Sequence, residues 1–313
     1  MEQVITAISV VLPVFIIISV GAILRYKKWI NEEFIHIAMK IVFNLCLPSM
    51  LFLKVSKADI SILLSANSLK FAVFSAVATV IIYFISQGLS KKFIKNFESR
   101  GTFIQGCFRS NYMIMGNAIL YNLFGDQIIE RMALLFVVII PLYNILAISA
   151  LTKDQSNSLV QHIGKMFSKF VTNPLIIGIF LGFLFAFFQI DISEVSEQTL
   201  SSLAAISTPL GLIGIGAYMN FNEMDTIKDS AKAVVLKLLL YPALVVFSGI
   251  VLGFNRIDTT ILFVLFGSPT AISSFIMASA LGGDKKLAAN IVILSTILSL
   301  ITFVFGLSIL NII

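Results

Sequence analysis

From Gly267 to Asp284 the chain reads GSPTAISSFIMASALGGD, inside an apolar run long enough to cross a bilayer. Pro269 removes a backbone donor and clashes with the carbonyl four residues earlier, so a helix through it is interrupted. Ser268, Thr270, Ser273, Ser274 and Ser279 add hydroxyls, and Gly282-Gly283 closes the run. Within a membrane, irregular backbone survives only where protein buries it or where it lines a wet cavity. An earlier stretch, Arg109 to Asp126, RSNYMIMGNAILYNLFGD, echoes this one. The two end alike, on Leu123-Phe124-Gly125-Asp126 and Leu281-Gly282-Gly283-Asp284. Two interrupted spans in corresponding places are a sequence pointer to a binding site within the membrane.

The rest of the chain supports a membrane setting. Only 12% of the residues are charged and 58% are hydrophobic, whereas a soluble domain carries roughly 25% charge. A crossing helix needs about 20 apolar residues. Ten runs fit: 4–24, 33–53, 69–90, 101–122, 128–151, 168–190, 199–220, 231–253, 258–281 and 287–311. The net charge of +6 gives no nucleic-acid signal, because the basic residues sit in short loops between these runs. No basic residue precedes the first run, and Arg25, Lys27 and Lys28 follow it, an order unlike a cleaved signal. With the N-terminus outside, the inner loops collect these three, Lys91, Lys92, Lys95, Arg100, Lys153, Lys165, Lys169, Lys228, Lys232, Lys285 and Lys286. The outer loops hold only Lys54, Lys57, Lys70, Arg131 and Arg256. The positive-inside bias therefore places both termini outside. Cys46 and Cys107 both fall within spans and read as packing residues rather than a disulfide.

The order of the spans contains a repeat. Pro13 and Pro174 are 161 residues apart, as are Gly21 and Gly182, and Pro48 and Pro209; Asp126 and Asp284 are 158 apart. A repeat of five spans, an odd number, re-enters the membrane in the opposite sense. The expected architecture is an all-α polytopic membrane protein: ten transmembrane helices as two inverted five-helix repeats, with broken helices 4 and 9. Residues 1–151 form the first repeat, 152–166 a cytoplasmic linker containing His162, and 167–313 the second repeat.

The inner ends of broken helices present free N–H or C=O groups, and an N-terminal end attracts anions. Ser268, Thr270, Ser273 and Ser274 can bond a ligand or re-satisfy freed backbone. Span 4 lacks a central proline, so its break is expected at Gly116, Asn117 and nearby Asn111. Arg109 reads either as an anion clamp or as a structural arginine bonded to carbonyls. Lys40, four residues after His36, and Lys237 read as snorkelling side chains. No Asp or Glu lies at the centre of a span. Phosphate-loop, zinc and intramembrane-hydrolysis motifs are absent too, so the pattern offers no enzyme, no cofactor and no metal site.

The residues resemble the auxin efflux carrier family, whose bacterial members include malate and malonate permeases. The matching pieces are Leu12-Pro13-Val14-Phe15 with Gly21, Asn44 with Leu47-Pro48, Phe108-Arg109-Ser110-Asn111 followed by Met115-Gly116, and Tyr143-Asn144. Asn173-Pro174, Thr208-Pro209-Leu210 with Gly216-Ala217, Ser268-Pro269 and Gly282-Gly283-Asp284 continue the match through the second half. The resemblance implies a scaffold domain and a transport domain, and an elevator-like secondary carrier with an organic-anion site where helices 4 and 9 cross. Its crossing residues fall on Asn111 and Pro269. Asn44, Pro48 and Asn144 join Arg109, Gly116, Asn117, Ser268, Thr270, Ser273 and Ser274 as expected substrate-binding residues. Where the family usually has proline two residues after the span-4 glycine, this chain has Ala118.

The expected partners are a small mono- or dicarboxylate, the lipid bilayer of a bacterial inner membrane, and a second copy, since family members can be homodimers. The coupling ion, proton or sodium, stays open. Two rival readings are a sodium-coupled symporter of the bile-acid-transporter type and a non-transporting membrane ligand sensor.

Overall fold

The computed structural model describes residues 2–57, 65–151, 172, 174–218 and 226–310. The expected linker, 152–166, with His162, lies outside them. The described residues are helical, and their one β-type pairing is an isolated antiparallel bridge between Ser110 and Thr270.

The first half holds α1 (Glu2–Tyr26), α2 (Glu32–Ile41), α3 (Leu47–Ser56), α4 (Ala66–Phe93), α5 (Phe97–Phe108), α6 (Asn117–Phe124) and α7 (Ile129–Leu151). The second holds α8 (Pro174–Phe187), α9 (Glu194–Tyr218), α10 (Ile227–Val235), α11 (Tyr241–Val251), α12 (Arg256–Gly267), α13 (Ile272–Ala280) and α14 (Lys285–Ile309). A single π turn, Val42–Cys46, joins α2 to α3, and another, Leu236–Leu240, joins α10 to α11. Each sits just before a proline, Pro48 or Pro242. The wider turn takes up the backbone where proline cannot donate, so the helix continues instead of breaking.

Seven helices among the described residues are long and apolar enough to cross a membrane. Three expected runs fall short for visible reasons. The described part of α8 has 14 residues, and the runs 101–122 and 258–281 are each split in two. Span 4 breaks at Arg109, Ser110 and Asn111, between α5 and a π turn, Tyr112–Gly116, that leads into α6. Of the residues expected at the break, Asn111 lies in it, whereas Gly116 and Asn117 come after it. Gly116 serves packing instead: a Cβ there would lie 2.8 Å from the Tyr112 ring and 2.9 Å from Ser268 Oγ.

Two contacts between helices of the first and second halves join positions at the spacing of the expected repeat. α1 packs along α9, and α3 along α8. A Cβ on Gly21 would lie 2.1 Å from the Ile213 carbonyl oxygen, and one on Gly182 would lie 2.8 Å from that of Phe52. Gly21 and Gly182 are 161 residues apart, and so are Phe52 and Ile213. Small residues let two backbones meet in an apolar medium, where dispersion and close approach hold helices together. Around these helices, α4 packs on α5 and α7, while α10 packs on α14 and α11 on α12.

Candidate functional site

The two breaks meet. Asn111 N–H donates to the Pro269 carbonyl at 2.7 Å, so the short extended pieces of spans 4 and 9 run antiparallel against each other. Ser110 and Thr270, the bridged pair, are 160 residues apart, close to the spacing of the expected repeat, and the bridge joins the broken stretches of spans 4 and 9. Both residues are buried.

A break leaves backbone groups without helical partners, and in an apolar interior each must find another. Side chains supply most of them. Thr270 Oγ1 donates to the Gly106 carbonyl at 2.7 Å, near the end of α5, and Thr270 N–H donates to Ser295 Oγ at 3.0 Å. Lys237 Nζ donates to the Phe266 carbonyl at 2.8 Å, near the end of α12. Gln105 Nε2 donates to the Ser274 carbonyl at 2.7 Å, tying α5 to α13. Ser268 turns back on its own helix, donating to the Val264 carbonyl. The snorkelling expectation for Lys237 is therefore corrected: the side chain is 1% exposed and caps a broken helix.

Arg109 is 7% exposed. Its guanidinium donates to Asn144 Oδ1 on α7 at 2.9 Å and to the sulfur of Met277 on α13. It links span 5 to both broken spans. Several buried hydroxyls around it have no hydrogen bond of ordinary geometry: Ser110 Oγ, Tyr112 Oη, Tyr143 Oη and Ser274 Oγ. The crossing is thus richer in polar groups than its internal bonds use.

Beside the crossing lies a cavity of about 1170 Å³, mostly apolar in its lining. Ser273 and Ile272, the first turn of α13, line it together with Asn44, Phe43, Tyr218 and Asn290. Ala271 precedes α13 without a side-chain cap, so the positive end of that half-helix is open to a ligand. Toward the end of the bundle, Arg25, His36, Lys40, Lys285 and Lys286 also line the cavity, with Glu32 the one acidic residue among them. Glu32 is paired with Arg25 at 2.9 Å.

The model of one family, described as Membrane transport protein, matches residues 6–306. The chain belongs to this family, that of the auxin efflux carriers. It is a multi-pass membrane protein of a family of transporters. A similar protein is an "Uncharacterized transporter" of Methanothermobacter thermautotrophicus, 20% identical over 307 residues, which span 93% of this chain and 94% of that one.

The expected site residues of this family member divide by place. Arg109, Asn111, Ser268, Pro269, Thr270 and Ser274 gather at the crossing, buried. Asn144 joins them through Arg109. Ser273 and Asn44 face the cavity. Gly116 packs under Ser268, while Asn117 and Pro48 stand further off: Asn117 Nδ2 makes a long contact of 3.9 Å to the sulfur of Met50, and Pro48 packs against Gly178. The cavity adds Tyr218 and Asn290, which the sequence did not single out, and His36 and Lys40, of which Lys40 was expected only to snorkel. A signal for part of this set was present, because His36, Lys40 and Asn44 recur at intervals of four and so share one face of span 2.

Proposed function

We propose that this protein is a secondary carrier of small organic anions, mono- or dicarboxylates, with its site where spans 4 and 9 cross. One observation carries the reading. A cavity with a basic mouth leads to the uncapped N-terminal turn of α13 and to Ser273. A carboxylate in that position would meet free backbone N–H groups, a hydroxyl and a favourable helix dipole. Arg25, Lys40, Lys285 and Lys286 would raise its local concentration. Asn111 and the spare hydroxyls at the crossing would complete its polar contacts.

By the positive-inside bias the cavity opens toward the cytoplasm. The arrangement of ten helices in two inverted repeats is supported by matched packing: Gly21 against Ile213 and Gly182 against Phe52, at one common spacing. Helices α1, α3, α8 and α9 pack on one another, and the broken spans pack with α4, α7, α10, α11 and α14. Two such bodies suit an elevator-type movement in which the second, bearing the crossing, moves against the first.

Uptake of radiolabelled malate and malonate into proteoliposomes tests the reading. Saturable uptake that Asn111→Ala abolishes in folded, inserted protein is expected. Saturable binding without flux would instead favour a sensor.

A further inference from the structure

The carbonyls of Gly106 and Phe266 are 160 residues apart and occupy equivalent places near the ends of α5 and α12. Their caps differ. A neutral hydroxyl, Thr270 Oγ1, bonds Gly106, whereas an ammonium, Lys237 Nζ, bonds Phe266. By the relation between the halves, Ser110 would stand to Phe266 as Thr270 stands to Gly106. Instead Ser110 Oγ, which faces the Tyr143 hydroxyl, has no hydrogen bond of ordinary geometry. A cation has displaced the symmetric cap.

The C-terminal end of a helix carries about half a negative charge, and in membrane carriers the ends of broken helices hold coupling cations. Lys237 lies at such an end, 1% exposed, and among the described residues it has no carboxylate partner. Its titratable neighbours are the Cys107 thiol of α5 and, beyond it, the Tyr241 hydroxyl, which is bonded to Ser86 at 2.8 Å. A charge in that setting is costly unless something of opposite sign is near, and the α12 end is what the structure offers.

We propose that Lys237 is a tethered counter-cation: its ammonium occupies the place at the broken end of α12 where a monovalent ion would otherwise bind, and makes the crossing independent of sodium. Lys237 is a positioning residue, acting through the α12 end on the anion site beside it. The consequence for transport rests on the proposed anion site; the occupancy of the α12 end does not.

Thermal unfolding of the purified full-length protein in sodium chloride and in choline chloride, at equal ionic strength, tests it. The wild type is expected to melt at one temperature in both salts. Lys237→Ala, which removes the cation and leaves space, is expected to melt lower in choline and to recover in sodium along a saturable curve. Lys237→Gln, which keeps a donor and loses the charge, is expected to melt lower in both. Saturable, sodium-specific stabilisation of the wild type would overturn the proposal. So would a Lys237→Ala variant that melts alike in the two salts, since that is what loss of packing alone produces. Should Lys237→Ala not fold, Lys237→Arg decides: a folded, sodium-indifferent protein supports a role for charge, and one that fails like the alanine variant overturns it. Malate uptake equal in sodium and choline is the transport consequence. No malate uptake in either salt would sink the substrate class and leave the melting comparison standing.

Discussion

Asn111 donates its backbone N–H to the carbonyl of Pro269, 2.7 Å away and 158 residues later in the chain. The pairing explains why the break in span 4 lies at Arg109–Asn111, although that span has no central proline. Pro269 interrupts span 9 because it cannot donate, but its carbonyl still accepts. Span 4 yields to meet it, leaving its helix at Arg109, which adopts an extended backbone.

The side chain of Asn111 is expected to be required for transport and dispensable for insertion. Asn111→Ala should reduce carboxylate uptake at least tenfold, about 1.4 kcal/mol or more in transition-state terms. Its melting temperature should stay close to that of the wild type. Uptake in proteoliposomes beside a thermal melt separates the two, and unchanged uptake would remove Asn111 from the site.

Thr270 is expected to matter for stability through its hydroxyl. Thr270→Val keeps the shape and removes the donor to Gly106, leaving a buried carbonyl unpaired at a cost of about 1–3 kcal/mol. Thr270→Ser should recover most of the loss. A valine variant as stable as the wild type would show that the Gly106 carbonyl finds another partner.

The glycines of the two matched contacts are expected to be intolerant of a methyl group. Gly21→Ala and Gly182→Ala place a Cβ against backbone oxygens at 2.1 and 2.8 Å, and overpacking of this kind costs about 1–3 kcal/mol or more. Gly88→Ala meets nothing within 4 Å and serves as the tolerated control. Melting temperatures in detergent should rank Gly88→Ala highest and Gly21→Ala lowest.

The basic mouth of the cavity is expected to act on substrate capture rather than turnover. Lys40→Gln and Lys285→Gln should raise the KM for malate by roughly 3- to 10-fold each, with kcat little changed, because long-range attraction concentrates the anion without touching the moving step. The same variants should flatten the salt dependence of uptake. An unchanged KM at low salt would place the mouth outside the substrate's path.

The sequence by itself determined that this is a polytopic membrane protein and that span 9 is interrupted at Pro269. Charge-poor apolar runs leave no other solvent, and Pro269 cannot continue a helix. The need for small residues at two positions of that spacing was also legible, because a Cβ on Gly21 or on Gly182 would lie 2.1 or 2.8 Å from a backbone oxygen of another helix. Only the tertiary structure decided which groups satisfy the broken ends. Lys237 is far in sequence from both breaks, and its apolar neighbours on the helix gave it the look of a snorkelling lysine. What keeps it inside is the Phe266 carbonyl, freed on another helix by the loss of helical bonding there. The cavity was hidden for a similar reason: Lys40, Tyr218, Ser273 and Asn290 come from four separate segments, and only packing brings them around one space.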